Sequence, residues 1–186
     1  MMKKWYIPVG IIVLLGVMLI SGYNNLVKTS ESVTSSWSQV QNQLQRRSDL
    51  IPNLVNTVKG YASQEKAVFT EVSEARAKLA GAATVAAAGQ ADQALTGSLG
   101  KLLAIVESYP QLKSDANFRA LQDELAGTEN RIATARMDYN NSVQTFNTKI
   151  KTFPTSLYAG MFGYGPRDYF KPDANVGTAP AVDFSK

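Results

Sequence analysis

The 186-residue chain contains neither cysteine nor histidine. Without cysteine it has no disulfide bonds, no thiolate metal ligands and no lipoprotein-type acylation site. Without histidine it lacks the side chain that most often transfers protons near neutral pH and most often binds metals. From these two absences we predict that the protein is not an enzyme and that it has no catalytic, cofactor-binding or metal-binding residues.

Charged residues are few, and the two signs nearly balance. The chain has 19 basic and 15 acidic residues, and two of the lysines, Lys3 and Lys4, stand at the N-terminus. A nucleic-acid surface needs a dense basic stripe, so we expect no nucleic-acid partner. The glycines of residues 160–165 follow no strand and precede no Lys-Ser/Thr pair, so they do not form a phosphate-binding loop. We therefore expect no small-molecule substrate.

An uncharged apolar run occupies residues 5–23. As a helix it would be roughly 28 Å long, close to the thickness of the hydrocarbon core of a bilayer. Aromatic residues stand at both ends, as in membrane-interface belts, with aliphatic residues between them: Trp5, Tyr6, Ile7, Leu14, Leu15, Leu19 and Tyr23. The alternative is a cleaved signal peptide, but Ile20-Ser21-Gly22 is a poor cleavage site. We predict a retained single-pass membrane anchor.

The charges beside this run predict its orientation. Lys3, Lys4 and the terminal amine precede the run, whereas only Lys28 closely follows it. By the positive-inside rule the N-terminus lies in the cytoplasm and the remainder of the chain lies on the other side of the membrane.

Apolar residues recur in alternating steps of four and three along two long segments. The first stripe is Val33, Trp37, Val40, Leu44, Arg47, Ile51, Leu54, Val58 and Tyr61; the second runs from Phe118 to Phe153 with a stutter at 135–143. Such stripes are the seams of helices packed against helices, and no segment alternates like a strand. We predict an all-α fold, in which an N-terminal transmembrane helix precedes an antiparallel up-and-down bundle of two long and two short helices.

Breaks in these patterns place the helix ends. We predict bundle helices at about 24–59, 63–80, 91–108 and 114–152, the last one capped by Ser114 or Asp115 and ended by Pro154. The first reversal is expected at Gly60. Two alternatives remain open: a reversal at Ser48–Pro52, and one unbroken helix from 24 to 80.

These breaks divide the chain into a membrane anchor (1–23), a helical bundle (24–153), an aromatic segment (154–171) and a flexible tail (172–186). An antiparallel last helix returns toward the membrane, so the aromatic segment is expected near it. The residues of interest are Phe153, directly before this segment, and within it Tyr158, Phe162, Tyr164, Tyr169 and Phe170. They either cap the open end of the bundle core or form an interface with lipid or a membrane-embedded partner.

Two arginines interrupt the first stripe. If the long helices run antiparallel along their whole length, level residues have numbers that sum to roughly 175. Trp37 then faces Tyr139, and Arg47 faces Glu129. We predict an interhelical ion pair of Arg47, and of Arg46 as well, with Glu129, because a buried guanidinium without a carboxylate is costly. The alternative is that both arginines extend past the seam into water.

Several of these stretches are typical of one family. They are QLQRRSDLIPNLV at 43–55, LQDELAGTENRI at 121–132, the R-x-x-YN pattern at Arg136–Asn140 and the closing Phe-Pro at 153–154. Along nearly all of residues 23–170 the chain resembles the LemA family of bacterial membrane proteins. The resemblance implies an N-terminal anchor and an antiparallel helical bundle, and it implies no established biochemical activity.

The sequence predicts a membrane-anchored helical scaffold or adaptor, single-pass and with its bundle extracytoplasmic. The resemblance implies that the membrane is the cytoplasmic (inner) membrane of the bacterial envelope. The expected partners of the protein are the lipid bilayer and either further copies of itself, as a homo-oligomer, or other envelope membrane proteins. The alternative is a membrane-surface-binding or membrane-shaping stress protein. Flotation of the bundle without its anchor, with liposomes and in the absence of a partner, would favour this alternative.

Overall fold

The computed structural model describes residues 5–171, and every regular element in that range is helical. The α-helices are α1 (Tyr6–Tyr61), α2 (Lys66–Ala80), α3 (Val85–Val106), α4 (Pro110–Ser114) and α5 (Ala116–Lys151), followed by two 3-10 turns at Thr155–Leu157 and Gly160–Phe162. The predicted all-α fold with a long N-terminal apolar helix is confirmed. The predicted flexible tail and the two N-terminal lysines lie outside the described residues.

The predicted anchor and the first bundle helix form one continuous helix, α1. An apolar window of 18 residues near the N-terminus of α1 has a mean hydropathy of 2.1 and contains no buried residue. Among the described residues, α1 is the one helix long and apolar enough to cross a membrane. Burial of one face begins at Leu26, which is fully enclosed, and continues at Val33. The helix therefore changes from bare apolar surface to one-sided packing within one turn after residue 23.

The first reversal lies where the Gly60 alternative places it. α1 ends at Tyr61 and α2 begins at Lys66. Neither the reversal at Ser48–Pro52 nor the unbroken helix occurs, because α1 continues through Pro52.

α3 begins at Val85, earlier than the predicted start near residue 91. The Thr84 side chain accepts a hydrogen bond from the Ala87 backbone N–H at 3.1 Å, and three consecutive alanines then propagate the first turn. The weak apolar pattern of this region concealed a helix that its cap and composition support.

α4 was not predicted. The Tyr109-Pro110 pair does end α3, but a proline also suits the first position of a new helix, and Pro110 occupies it. The cap of α5 is confirmed, since Asp115 Oδ1 accepts a hydrogen bond from the Phe118 N–H at 2.9 Å.

The chain divides into two compact units, which are Met1–Gln39 with Met137–Arg167 (unit 1) and Val40–Arg136 with Asp168–Lys186 (unit 2). In unit 1, α1 and α5 run antiparallel. The Trp37 and Tyr139 rings are in contact, as predicted, with centroids 5.4 Å apart and planes inclined by 55°. The Asn25 side chain bonds Lys149 near the end of α5. The core of this unit is Leu26, Val33, Tyr139, Val143, Phe146, Tyr158 and Ala159.

In unit 2 the short helices α2 and α3 are antiparallel neighbours, because residues 81–84 alone connect them. The unit 2 portions of α1 and α5 pack in the same core. Its largest fully buried side chains are Val40, Ile51, Leu54, Val58, Val72, Leu95, Leu102, Leu112, Phe118 and Ile132. Burying each of these side chains favours folding by about 1.5–3 kcal/mol.

Candidate functional site

A buried ion pair joins α1 to α3 inside unit 2. Arg47 Nη1 lies 2.9 Å from Asp92 Oδ1, and the two side chains are only 5% and 3% exposed. Arg47 Nη2 also donates to the Thr96 hydroxyl, one turn along α3, at 2.9 Å. Two nitrogens of the guanidinium fork thus bond two side chains of the same helix face, with a fixed spacing that the single nitrogen of a lysine lacks.

The same carboxylate holds a second arginine. Asp92 Oδ2 bonds Arg136 Nη2 from α5, so Asp92 lies between two guanidinium groups. The Arg136 guanidinium carbon in turn sits 4.7 Å from the centroid of the buried Phe170 ring, a cation–π contact. Phe170 also lies beside Gly89 of α3, where a Cβ would be 3.6 Å from the ring. We call Arg47, Asp92, Arg136 and Phe170 the charge cluster.

The structure brings Arg47 and Glu129 together, with Arg47 Nη1 2.8 Å from Glu129 Oε2. Glu129 is 45% exposed, so it lies at the solvated edge of the charge cluster, next to Arg47. Arg46 bonds a different acid, Glu124, at 2.6 Å on the surface. The two arginines are therefore separated by burial, since one lies inside the core and the other extends into water.

Asp92 was missed in the sequence, although a signal for it exists. Ala88, Asp92, Leu95, Leu99, Leu102 and Val106 follow the same alternating steps of four and three as the long stripes. Asp92 thus holds a seam position of α3, just as Arg47 holds one of α1. Two opposite charges at seam positions of different helices predict a buried pair.

Burial raises the pKa of Asp92 above its ordinary value, and the Arg47 and Arg136 guanidiniums oppose that rise. Glu129 adds to the rise because it is a nearby negative charge. Desolvation and attraction thus act against each other, as is usual for buried ion pairs. With both carboxylate oxygens bonded by arginine, Asp92 links α3 to α1 and to α5.

Pro52 follows the two arginines by about one turn, and its effect on α1 is offset by α2. Proline has no N–H, so the Ser48 carbonyl, four residues earlier, loses its helical donor. Arg76 Nε donates a hydrogen bond to that carbonyl at 2.8 Å, and Ser48 is buried. The unpaired carbonyl created by Pro52 therefore becomes the docking point of α2 on α1.

The structure separates the predicted aromatic interface into buried and exposed members. Tyr158 and Phe170 are buried, Tyr164 is half-buried, and Phe153, Phe162 and Tyr169 are exposed. In unit 1 the Tyr164 ring packs edge-on against Phe146, with centroids 6.2 Å apart. Core packing thus accounts for the buried members of this segment, and a role of the exposed members in an interface stays a prediction.

The segment after α5 is fastened to α5 and to the end of the apolar run. Asn147 makes two hydrogen bonds of 2.8 Å with the Arg167 backbone, donating to its carbonyl and accepting from its N–H. The Tyr23 and Phe162 rings have centroids 4.9 Å apart. Tyr158 lies so close to Gly22 that an added Cβ would stand 2.2 Å from the tyrosine oxygen.

The described residues 5–171 contain no group of three or more histidine, cysteine, aspartate or glutamate side chains placed to hold a metal ion. The fold and contacts define a class of protein. Its first helix has an exposed apolar part of membrane-spanning length, and the rest of that helix packs against further helices that buried ion pairs join. A sequence model of a protein family, described as the LemA family, matches residues 36–184. The chain belongs to the LemA family.

Similar curated proteins are bacterial. Magnetosome protein MamQ 2 of Paramagnetospirillum magneticum is 28% identical over an alignment 190 positions long. The alignment covers 88% of this chain and 70% of that protein. Magnetosome protein MamQ of Magnetospirillum gryphiswaldense matches with the same identity and coverage. Protein LemA of Metamycoplasma hominis is 25% identical over 141 residues, or 73% of this chain and 63% of that protein.

Proposed function

We propose that the protein is a non-catalytic, membrane-anchored helical scaffold or adaptor of the bacterial envelope. The observation that carries this proposal is the character of α1. Its apolar window has no buried residue, and the same unbroken helix packs into unit 1 from Leu26 onward. A helix of this kind transmits the position of the membrane to the helices packed on it, without a flexible linker.

The contacts of unit 2 support a scaffold in preference to an enzyme. Its buried carboxylate, Asp92, is bonded to two arginines, and the buried Ser48 carbonyl accepts from Arg76. These polar groups join helices to one another, and both oxygens of the one carboxylate in the charge cluster are bonded to arginine. Buried ionic networks of this type can define which helix faces meet, at little net gain in stability.

The orientation belongs to the same proposal. The charges before and after the apolar run favour a cytoplasmic N-terminus and extracytoplasmic packing helices in the cytoplasmic membrane. Because the chain lacks cysteine, Ser35→Cys supplies a single exposed thiol. We expect a membrane-impermeant maleimide to modify it in intact spheroplasts. Modification only after lysis would reverse the orientation.

The scaffold function itself is tested by cross-linking the full chain in native membranes, followed by mass spectrometry. We expect cross-links to further copies of the chain or to other membrane proteins of the envelope. A matched sample solubilised in excess detergent controls for random contacts. Known complexes in the same membranes serve as the positive control for cross-linking efficiency. If these complexes are captured but this chain gives intrachain cross-links alone, the proposal is contradicted.

One observation favours the second candidate, a protein that acts on the membrane surface. Phe153 and Phe162 of unit 1 are exposed close to the end of the apolar run. Flotation of the full chain with protein-free vesicles cannot separate the two candidates, because the anchor itself would float. A change in vesicle size or curvature on reconstitution would support the second candidate.

A further inference from the structure

Unit 1 exposes four apolar side chains in the segment that follows α5. Phe153 is 74% exposed, Leu157 68%, Met161 86% and Phe162 57%. We call these four residues the apolar rim. Thr155, Tyr158 and Ala159, which alternate with them, are buried, so the segment is held by one set of side chains and presents the other. Large apolar side chains exposed together in one short segment mark a contact surface.

The apolar rim lies at the end of the apolar run of α1. The Phe162 ring packs against Tyr23, and Tyr158, between Leu157 and Met161 in the chain, packs against Gly22. Gly22 and Tyr23 are the last residues of the apolar run at 5–23. If that run crosses a bilayer, the rim is at the depth where hydrocarbon gives way to headgroups.

The charges around the apolar rim fit the same depth. Residues 152–166 contain no charged side chain, whereas Lys151 precedes this stretch and Arg167 follows it. Lys28, one to two turns beyond Tyr23 on α1, is exposed as are Lys151 and Arg167. Apolar side chains flanked by cations are typical of segments that lie in the interface of a bilayer and face its phosphates.

We propose that the apolar rim inserts into the headgroup–acyl boundary of the bilayer that α1 crosses, as a second membrane contact beside the span. This inference rests on the proposed membrane anchoring of α1. Lipid is the occupant because the surface is continuous with the span and is bordered by cations. With two contacts in place, the tilt of unit 1 on the membrane is fixed, whereas a span alone would leave it free to rock.

Site-directed spin labelling tests the proposal, because the native chain has no competing thiol. Met161→Cys places a label on the apolar rim. Met137→Cys is the matched control, since Met137 is also in unit 1, is 57% exposed and precedes the end of α5 by about 21 Å of helix. The full chain is reconstituted in vesicles of phosphatidylcholine and phosphatidylglycerol, and collisions of each label with oxygen and with a water-soluble nickel chelate are measured.

We expect the label at 161 to collide mainly with oxygen, at a depth of about 5–10 Å below the headgroups, and the label at 137 to collide mainly with nickel. If the full chain fails to float with the vesicles, the membrane anchoring fails and the inference with it. If the chain floats but the two labels behave alike, the inference alone is wrong. A label at 161 shielded from both reagents would replace lipid by a protein contact and would also overturn the proposal.

Discussion

Truncation of Asp92 should be far more damaging than truncation of an exposed acid in the same unit. Asp92→Ala leaves the Arg47 guanidinium in the core, where its side chain is 5% exposed. Removing one partner of a buried ion pair costs about 3–5 kcal/mol. Because Glu129 still lies 2.8 Å from Arg47, we expect the lower end of that range, about 3 kcal/mol.

The matched control is Glu71→Ala, which removes an acid from a surface pair. Glu71 Oε1 lies 2.5 Å from Lys101 Nζ, and the side chains are 44% and 61% exposed. Exposed pairs contribute about 0–1 kcal/mol. A third variant, Arg47→Met with Asp92→Leu, removes both buried charges and should recover much of the loss, because apolar side chains can replace a buried ion pair.

Urea unfolding of the full chain in detergent micelles, followed by far-UV circular dichroism, measures these differences. With slopes of about 1–3 kcal/mol per molar urea, a loss of 3 kcal/mol lowers the midpoint by about 1–3 M. The reasoning would be refuted if Asp92→Ala lowered the midpoint no more than Glu71→Ala does. It would also be refuted if the double variant lost as much stability as Arg47→Met and Asp92→Leu, each measured alone, lose together.

Three further outcomes are expected. Arg76→Leu should destabilise the protein, and should do so less in a Pro52→Ala background, because alanine returns a helical donor to the carbonyl that Arg76 serves; a double-mutant cycle by urea unfolding checks this. Hydrogen bonds from the Phe118 N–H and, second, from the Tyr61 hydroxyl lower the pKa of Asp115 in the folded protein. The ionised Asp115 therefore stabilises the fold fully above pH 3.8, and this stabilisation is lost as the pH falls through the lower folded-state pKa. The melting temperatures of wild type and of the Asp115→Asn variant should converge in acid. Gly22→Ala should lower the melting temperature, and Tyr158→Phe in that background should restore part of it, because the oxygen that meets the new Cβ is gone.

The helical class and the packing of the long helices could be predicted because their patterns are regular. The alternating stripe of α1 continues through Pro52 without losing phase. The helix itself also continues through Pro52 and ends at Tyr61. The antiparallel register that aligns Trp37 with Tyr139 follows from helix lengths alone. Position along a helix is linear in residue number, so an error in one helix end hardly changes which residues are level.

The charge cluster could not be predicted in full, because its members come from distant segments with different patterns. Asp92 lies in an alanine-rich helix whose small side chains weaken the apolar contrast on which seam detection depends. Phe170 reaches Arg136 from the segment after α5, where no periodic element fixes its place. The docking of Arg76 on the Ser48 carbonyl needs both the position of α2 and the lost donor at Pro52.

The central claim is that the apolar run of α1 is kept as an anchor and holds the packed helices at a bacterial membrane. The most direct measurement is the intact mass of the protein that remains in bacterial membranes after alkaline washing. We predict that the washed membranes retain the full-length chain, including residues 5–23. Recovery of a shorter chain that begins after residue 20 or so, released with the soluble fraction, would contradict the claim and would make the run a cleaved signal peptide.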